Sequence, residues 1–369
     1  MTRTDQRKRV LHPHFAKWFP RCVPKGFREN PAIRIFCFHG AGMDVTVWTG
    51  VGTPKAPTVN PLVTFCEKED AQLLAAQLPG RSLRSKESVP DTIQDCAAQL
   101  LEVITPLASS HVPYVLVGYS MGCWIAYELA CALAKKKQAD ASVRLPVRMI
   151  LASMVSPDTI PKDRPWRETR NLSDQEFQEE LRGWSCNDVL FQPDLWSAYG
   201  QLLRADHRLL DDYVPTTPEN PLGVPCSVFR ARDDLKLKSP SYFFNWFSLL
   251  ERDCSAREKK VSALKRDANG DGVATSSIHS GIETTDRTPR SVNEPQNTGN
   301  GVHLGRSTPD MVKKSRGRAS DTEERLTARI GVLDGNHGLL YNTECRAKFF
   351  EQIVELVEQD LLDFMYDGM

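Results

Sequence analysis

The chain lacks any surplus of charge. Its 47 lysines and arginines are matched by 47 aspartates and glutamates, so no net field draws it to nucleic acid or to an anionic membrane, and neither is an expected partner. Long apolar runs are missing too: the hydrophobic stretches are short and interrupted, well below the roughly 18 to 20 apolar residues that span a bilayer. No membrane span is expected, and the chain reads as soluble. Its ten cysteines include no Cys-x-x-Cys pair, which removes the usual spacing of a zinc site, and several lie in apolar runs where a thiol acts as a small hydrophobe. That usage fits a reducing compartment. The basic N-terminus, Met1 to Arg9, has no apolar segment of the kind a secretory signal carries, and a cytoplasmic location is expected.

Aromatic residues vanish between about residues 253 and 325, where Ser, Thr, Gly, Asn, Asp, Lys and Arg dominate. Neither helical nor strand periodicity survives there, and the segment reads as a disordered insertion. Inserting about seventy residues into a short connection costs only on the order of 2 to 3 kcal/mol of closure entropy, so a single domain over residues 1–369 can hold it. Within it, Asp267 to Gly272 imitates the start of a calcium loop, but the twelfth position is Ile278, where a bidentate glutamate is needed.

Outside the insertion, short β-branched runs alternate with longer amphipathic ones, the pattern of a mostly parallel sheet with helices on both faces, an α/β architecture. Strands are expected at 32–38, 73–77, 113–117, 147–153, 225–229 and 328–333, and helices at 91–108, 121–137, 239–252 and 343–362. Residues 157–215 break the rhythm. They are helical in pattern and rich in tryptophan and charge, as expected of a helical lid over the carboxyl edge of the sheet.

Gly118-Tyr119-Ser120-Met121-Gly122 matches G-x-S-x-G directly after the apolar run Tyr114 to Val117 and at the start of a helical pattern. That context is what a nucleophile elbow requires: small residues on either side let a tight strand-to-helix turn lift the serine hydroxyl clear of the backbone. Ser120 is the candidate nucleophile. A serine needs a base and the base an orienting acid, in the chain order serine, acid, histidine. His337 sits in the glycine-flanked loop Asp334 to Gly338 after the last expected strand. The other histidines are worse placed, with His279 and His303 in the insertion, His207 in the lid and His39 beside the expected oxyanion turn. Asp233 and Asp234 follow the strand 225–229, and spacing alone does not choose between them. For the oxyanion hole, Phe38-His39-Gly40-Ala41-Gly42 follows the first of these expected strands, nominating the N–H groups of Ala41 and of Met121, the residue after the nucleophile.

Several segments together resemble the type II thioesterases of the α/β-hydrolase superfamily, which accompany polyketide, nonribosomal peptide and fatty acid synthases. Ile35 to Gly42 is similar to that family's first strand and oxyanion turn, Gln77-Leu78-Pro79-Gly80-Arg81 to its QLPGR, and Gly118 to Gly122 to its nucleophile motif. Leu203 to Tyr213 resembles its Arg-Ala-Asp helix, and Gly335 to Gly338 its histidine loop. The resemblance implies the α/β-hydrolase fold and selects Asp234 over Asp233 as the acid. It departs at Arg230-Ala231, where the family carries Gly-Gly, and at the insertion, which separates acid from histidine.

The resemblance further implies a serine thioesterase with the triad Ser120, His337 and Asp234, needing no metal or redox cofactor. Its substrate would be an acyl group on the phosphopantetheine arm of an acyl carrier protein or carrier domain, with acyl-coenzyme A as a surrogate and a monomer as the working form. Two other readings stay open: an esterase or lipase acting on oxygen esters with the same triad, and a non-catalytic carrier-binding module, motivated by the altered acid loop.

Overall fold

A computed structural model describes residues 11–251 and 325–367. The calcium-like segment and all of the expected insertion except Arg325 lie outside the described residues.

Seven strands form the main sheet: β1 (Cys22–Val23), β2 (Ile33–Phe38), β5 (Ala71–Ala75), β6 (Tyr114–Tyr119), β7 (Arg148–Ala152), β8 (Cys226–Ala231) and β9 (Ile330–Leu333), in the order β1-β5-β2-β6-β7-β8-β9. A separate exposed hairpin pairs β3 (Gly52–Thr53) with β4 (Ala56–Pro57). Among the described residues, only β1 runs antiparallel in the main sheet. Strands β2, β5 and β6 are buried along their whole length, which is why their sequences are continuous apolar runs: helices cover both faces.

Alternation along β2 divides the core in two. Phe36 and Phe38 face one cluster, with α4 (Ile93–Ala108), α5 (Met121–Ala139) and α8 (Asn245–Leu250). Ile33, Ile35 and Cys37 face the other, with α3 (Pro61–Lys68) and α9 (Thr343–Asp367). Short helices α1 (Phe15–Trp18) and α2 (Thr46–Thr49) complete the two layers. Helix starts follow local chemistry. Asn60 caps α3 ahead of Pro61, and Thr92 caps α4 by accepting from the Asp95 amide, each satisfying a donor that the helix itself cannot.

The strand expected at 73–77 lies two residues earlier, at 71–75. Parallel pairing with β2 sets Ala71 opposite Ile33 and Ala75 opposite Cys37, so Ala76 and Gln77 leave the ladder towards the carboxyl edge. The helix expected at 239–252 is shorter, a 3₁₀ turn at Pro240–Phe243 followed by α8.

Between β7 and β8 lie α6 (Asp174–Gly183), opened by a Ser173–Glu176 capping box, and α7 (Pro193–Asp211), with Phe177, Leu181 and Leu203 as a small core of their own. Two buried charges fix the segment, Arg164 by closing it on itself and Glu128 by tying it to α5. Arg164 donates to the carbonyls of Leu210 and Tyr213 at 2.8 and 2.7 Å. Glu128 on α5 accepts from the Tyr213 hydroxyl at 2.7 Å and the Thr216 amide at 2.9 Å. The architecture is the α/β-hydrolase fold with a helical lid, as the sequence resemblance implies.

Candidate active site

The parallel ladders bring the carboxyl ends of five strands level. Phe38 pairs with Gly118, Tyr119 with Ala152, Ala152 with Phe229, and Ala231 with Leu333. Everything that follows these residues in sequence therefore projects from one rim. Strand order also reverses there, since the chain leaves β2 for β5 on one side and later places β6 on the other, and a crevice at such a reversal is where open α/β sheets bind ligands.

Ser120 occupies the turn between β6 and α5 with φ of 50° and ψ of −128°, a left-handed conformation that a non-glycine residue adopts only when its surroundings impose it. Its amide donates to Ala152 O at 2.9 Å, holding the turn against β7. Gly122 permits the tight approach of α5 to β2, because a Cβ there would stand 2.2 Å from Phe38 O.

His337 Nε2 lies 3.0 Å from Ser120 Oγ, and its Nδ1 2.7 Å from Asp234 Oδ2. Asp234 is buried, and its other oxygen accepts from the amides of Lys236 and Leu237 at 2.9 and 3.0 Å. Burial alone would raise its pKa, but the hydrogen bond and charge of His337 with the two amides outweigh it and hold the carboxyl below its usual range. The imidazole is thus aligned with Nδ1 donating to carboxylate and Nε2 free to accept from the serine hydroxyl.

Asp233 points elsewhere: it is exposed, and its amide donates to Gly335 O at 2.9 Å. Together with Arg232 N donating to Leu333 O at 2.8 Å, that bond laces the acid loop to the histidine loop. The side chain of Arg232 pairs with Asp334 at 2.6 Å, which leaves Asp234 to the imidazole. The Arg230-Ala231 departure does not prevent the acid loop from forming this contact.

The nominated oxyanion donors flank Ser120. Gly40 packs so closely that a Cβ there would lie 3.1 Å from the Ser120 Cβ, bringing the turn that contains Ala41 against the serine. Met121 is the first residue of α5, so its N–H has no partner within the helix and stands at the positive end of the helix dipole.

Two neighbours of the imidazole were not legible as such. Tyr119, which fills a variable position of the motif, donates its buried hydroxyl to the carbonyl of His337. Trp184 of the lid lies edge-on to the imidazole with ring centroids 4.5 Å apart. A row of rings continues from it through Trp166 and Trp124 to Tyr213, so the aromatic packing of this segment extends to the histidine itself. His207 is buried against Phe177. Cys123 is likewise internal, its thiol directed at Ala152 O and its pKa pushed far up by burial, which leaves the thiol protonated and unreactive.

A family model described as a thioesterase domain matches residues 60–263. The gramicidin S biosynthesis protein GrsT of Aneurinibacillus migulanus is 27% identical over 223 residues, covering 59% of this chain and 76% of that one. A probable cadicidin biosynthesis thioesterase of Streptomyces griseus is 26% identical over 219 residues, 59% of this chain and 54% of its own length. Among solved structures, YbtT, a type II thioesterase from the yersiniabactin NRPS/PKS pathway, superposes with a TM-score of 0.52 at 18% identity, covering 92% of this chain and 99% of that one. At that identity the likeness bears on the fold.

Proposed function

From the premise that this chain belongs to the thioesterase family, we propose that it is a serine thioesterase of the type II kind, hydrolysing acyl groups carried on the phosphopantetheine thioester of a carrier protein or carrier domain. The observation that carries the reading is the continuous hydrogen-bonded series Ser120–His337–Asp234, with links of 3.0 and 2.7 Å, at the carboxyl rim of the sheet.

In this mechanism the Ser120 oxygen bonds to the thioester carbon while its proton passes to His337 Nε2, and Asp234 keeps the Nδ1 proton in place and stabilises the imidazolium. Negative charge on the former carbonyl oxygen is received by the N–H groups of Ala41 and Met121. Collapse of the tetrahedral species breaks the carbon–sulfur bond, and His337 returns the proton to the departing thiolate. Water then attacks the acyl-enzyme carbon as its proton passes to His337 Nε2; collapse breaks the bond to Ser120 Oγ, His337 returns the proton to that oxygen, and the acyl group leaves as a carboxylic acid. No metal or redox group enters these steps.

The names of the relatives support a setting among nonribosomal peptide and polyketide synthases, where such hydrolysis would clear stalled or mature acyl groups. A fatty acid synthase is the other setting that the sequence resemblance allows. Scattered thiols fit a cytoplasmic location, and among the described residues no helix is long and apolar enough to cross a membrane.

The test is a panel of acyl-carrier and acyl-coenzyme A thioesters of graded length beside oxygen esters of matched length. Wild type should prefer the thioesters and take up a fluorophosphonate label. Ser120→Ala should lose both label and turnover, and Asp234→Asn should lose on the order of 10³- to 10⁴-fold in kcat with its fold intact. A preference for oxygen esters would favour an esterase, and a folded wild type that neither labels nor hydrolyses would leave a carrier-binding module.

A further inference from the structure

One buried ion pair grips the oxyanion turn from both sides, and one of its members belongs to the lid. Asp206 on α7 is fully buried, and Arg81, which ends the QLPGR segment, is nearly so. The guanidinium meets the carboxylate with two nitrogens, Nη1 to Oδ2 at 2.9 Å and Nη2 to Oδ1 at 2.7 Å. Asp206 Oδ2 also accepts from the Gly42 amide at 2.7 Å, and Arg81 Nη1 also donates to Met43 O at 3.3 Å. The pair thus holds an N–H and a C=O on consecutive residues of the turn. Arg81 is fixed in turn by donating through Nε to Pro79 O at 3.1 Å, and a second tie runs from Ser82 Oγ to Asp44 Oδ2 at 2.6 Å.

Gly42 adopts a φ of +69°, and Leu203, one turn before Asp206 on α7, lies where a Cβ on Gly42 would sit, 2.5 Å from Leu203 Cδ2. Helix α7 therefore touches the turn through an apolar side chain and a charged one. A buried pair of this kind is weak evidence for stability, since well-packed apolar replacements often do as well. An oxyanion hole, by contrast, needs its donors held to within about 0.5 Å before charge develops.

We propose that Asp206 and Arg81 are positioning residues for the oxyanion turn, so that seating α7 of the lid is a condition for stabilising the tetrahedral intermediate. Neither side chain touches substrate; they act through the Gly42 amide and the Met43 carbonyl on the Ala41 N–H between Gly40 and Gly42. The inference rests on the reading of Ser120 as nucleophile and concerns a separate part of the same site.

The experiment compares an acyl-N-acetylcysteamine thioester with its dithioester, in which sulfur replaces the carbonyl oxygen and accepts hydrogen bonds poorly. Asp206→Asn keeps the shape and one acceptor but loses the charge; Arg81→Lys keeps the charge but loses the fork. Each is checked by thermal melting, and whichever folds is scored. The expected result is a loss on the order of 10²-fold in kcat on the thioester for Asp206→Asn, and a smaller one for Arg81→Lys, with KM little changed and the dithioester rate much less affected. Equal losses on both substrates, or wild-type rates, would overturn the proposal. Hydrogen exchange on the unmutated chain provides a check free of folding effects: the Gly42 amide should exchange no faster than the central amides of α7, and faster exchange would count against the clamp. Failure of the parent reading would look different, as an unmutated chain without thioester turnover.

Discussion

His39 is held neutral at the start of the turn that contains Ala41. It is fully buried, with Nδ1 donating to Gly40 O at 2.9 Å. Burial first, then the nearby Arg81 guanidinium, lower its pKa to about 4 against the opposing pull of the Gly40 carbonyl, Asp206 and Asp44. In the unfolded chain the same imidazole titrates near 6.5. Between these values the unfolded chain binds more protons than the folded one, so stability rises with pH through the window and is lost on acidification. From pH 7 to pH 5 the loss from this residue is about 2 kcal/mol. Urea unfolding at the two pH values measures it, and His39→Asn should flatten the dependence by a similar amount; an unaltered slope would contradict this account. Buried His207, whose pKa is also lowered, first by burial, adds to the slope with the same sign and remains in the variant. At this scale the sequence was uneven as a guide. Ser120 and His337 were legible because each follows an apolar strand and lies among glycines, while Asp233 and Asp234 were indistinguishable by spacing. The choice depends on which carboxylate turns inward, and in the structure Asp234 is buried and Asp233 exposed.

Strands and helices meet most tightly where α5 crosses the end of β2. A Cβ on Gly122 would stand 2.2 Å from Phe38 O and 2.6 Å from Phe38 C, and backbone atoms cannot swing aside as a side chain can. Gly122→Ala should therefore separate α5 from β2 and cost about 1 to 3 kcal/mol, towards the upper end, read as a lower urea midpoint. Turnover should fall with it, because Phe38 leads directly into the turn proposed to hold the oxyanion; an alanine variant as stable as wild type would mean the contact is not closed in solution. The longest elements were the most legible. Helices α4 and α9 carry sustained periodicity, α5 is a long run buried on every side from Met121 to Cys131, and the central strands are too apolar to be anything exposed. The short elements were missed: α1, α2 and the edge strand β1 span only two to four residues, less than one period of any pattern. Helix α3 went unread because its apolar residues directly follow the loop around β3 and β4, which masks where periodicity begins.

Across the whole molecule, residues 255–324 are expected to be dispensable for hydrolysis. Glu251 accepts from the amide of Cys226, the first residue of β8, at 3.1 Å and pairs with Arg329, next to the start of β9, at 2.6 Å. The described chain on either side of this segment therefore meets at the amino edge of the sheet, opposite Ser120. Deleting 255–324 should leave the thioesterase rate close to that of the full chain and shift stability by no more than the few kcal/mol of a shortened loop closure. A folded deletion variant without turnover would place the segment in the function. Composition and periodicity sufficed for the layers of the fold, the elbow at Ser120 and the loop of His337, because each is written in residues close together in the chain, where strand period, helix period and glycine placement act locally. The inward turn of the Asp234 carboxylate towards His337, which spacing left open and the family resemblance only implied, the tie from Tyr119 to His337, the ring of Trp184 on the imidazole and the contacts of the Asp206–Arg81 pair with Gly42 and Met43 belong to the tertiary structure. Each depends on the direction of a side chain across a separation of 103 to 218 residues, and only the closed sheet and the seated lid determine that direction.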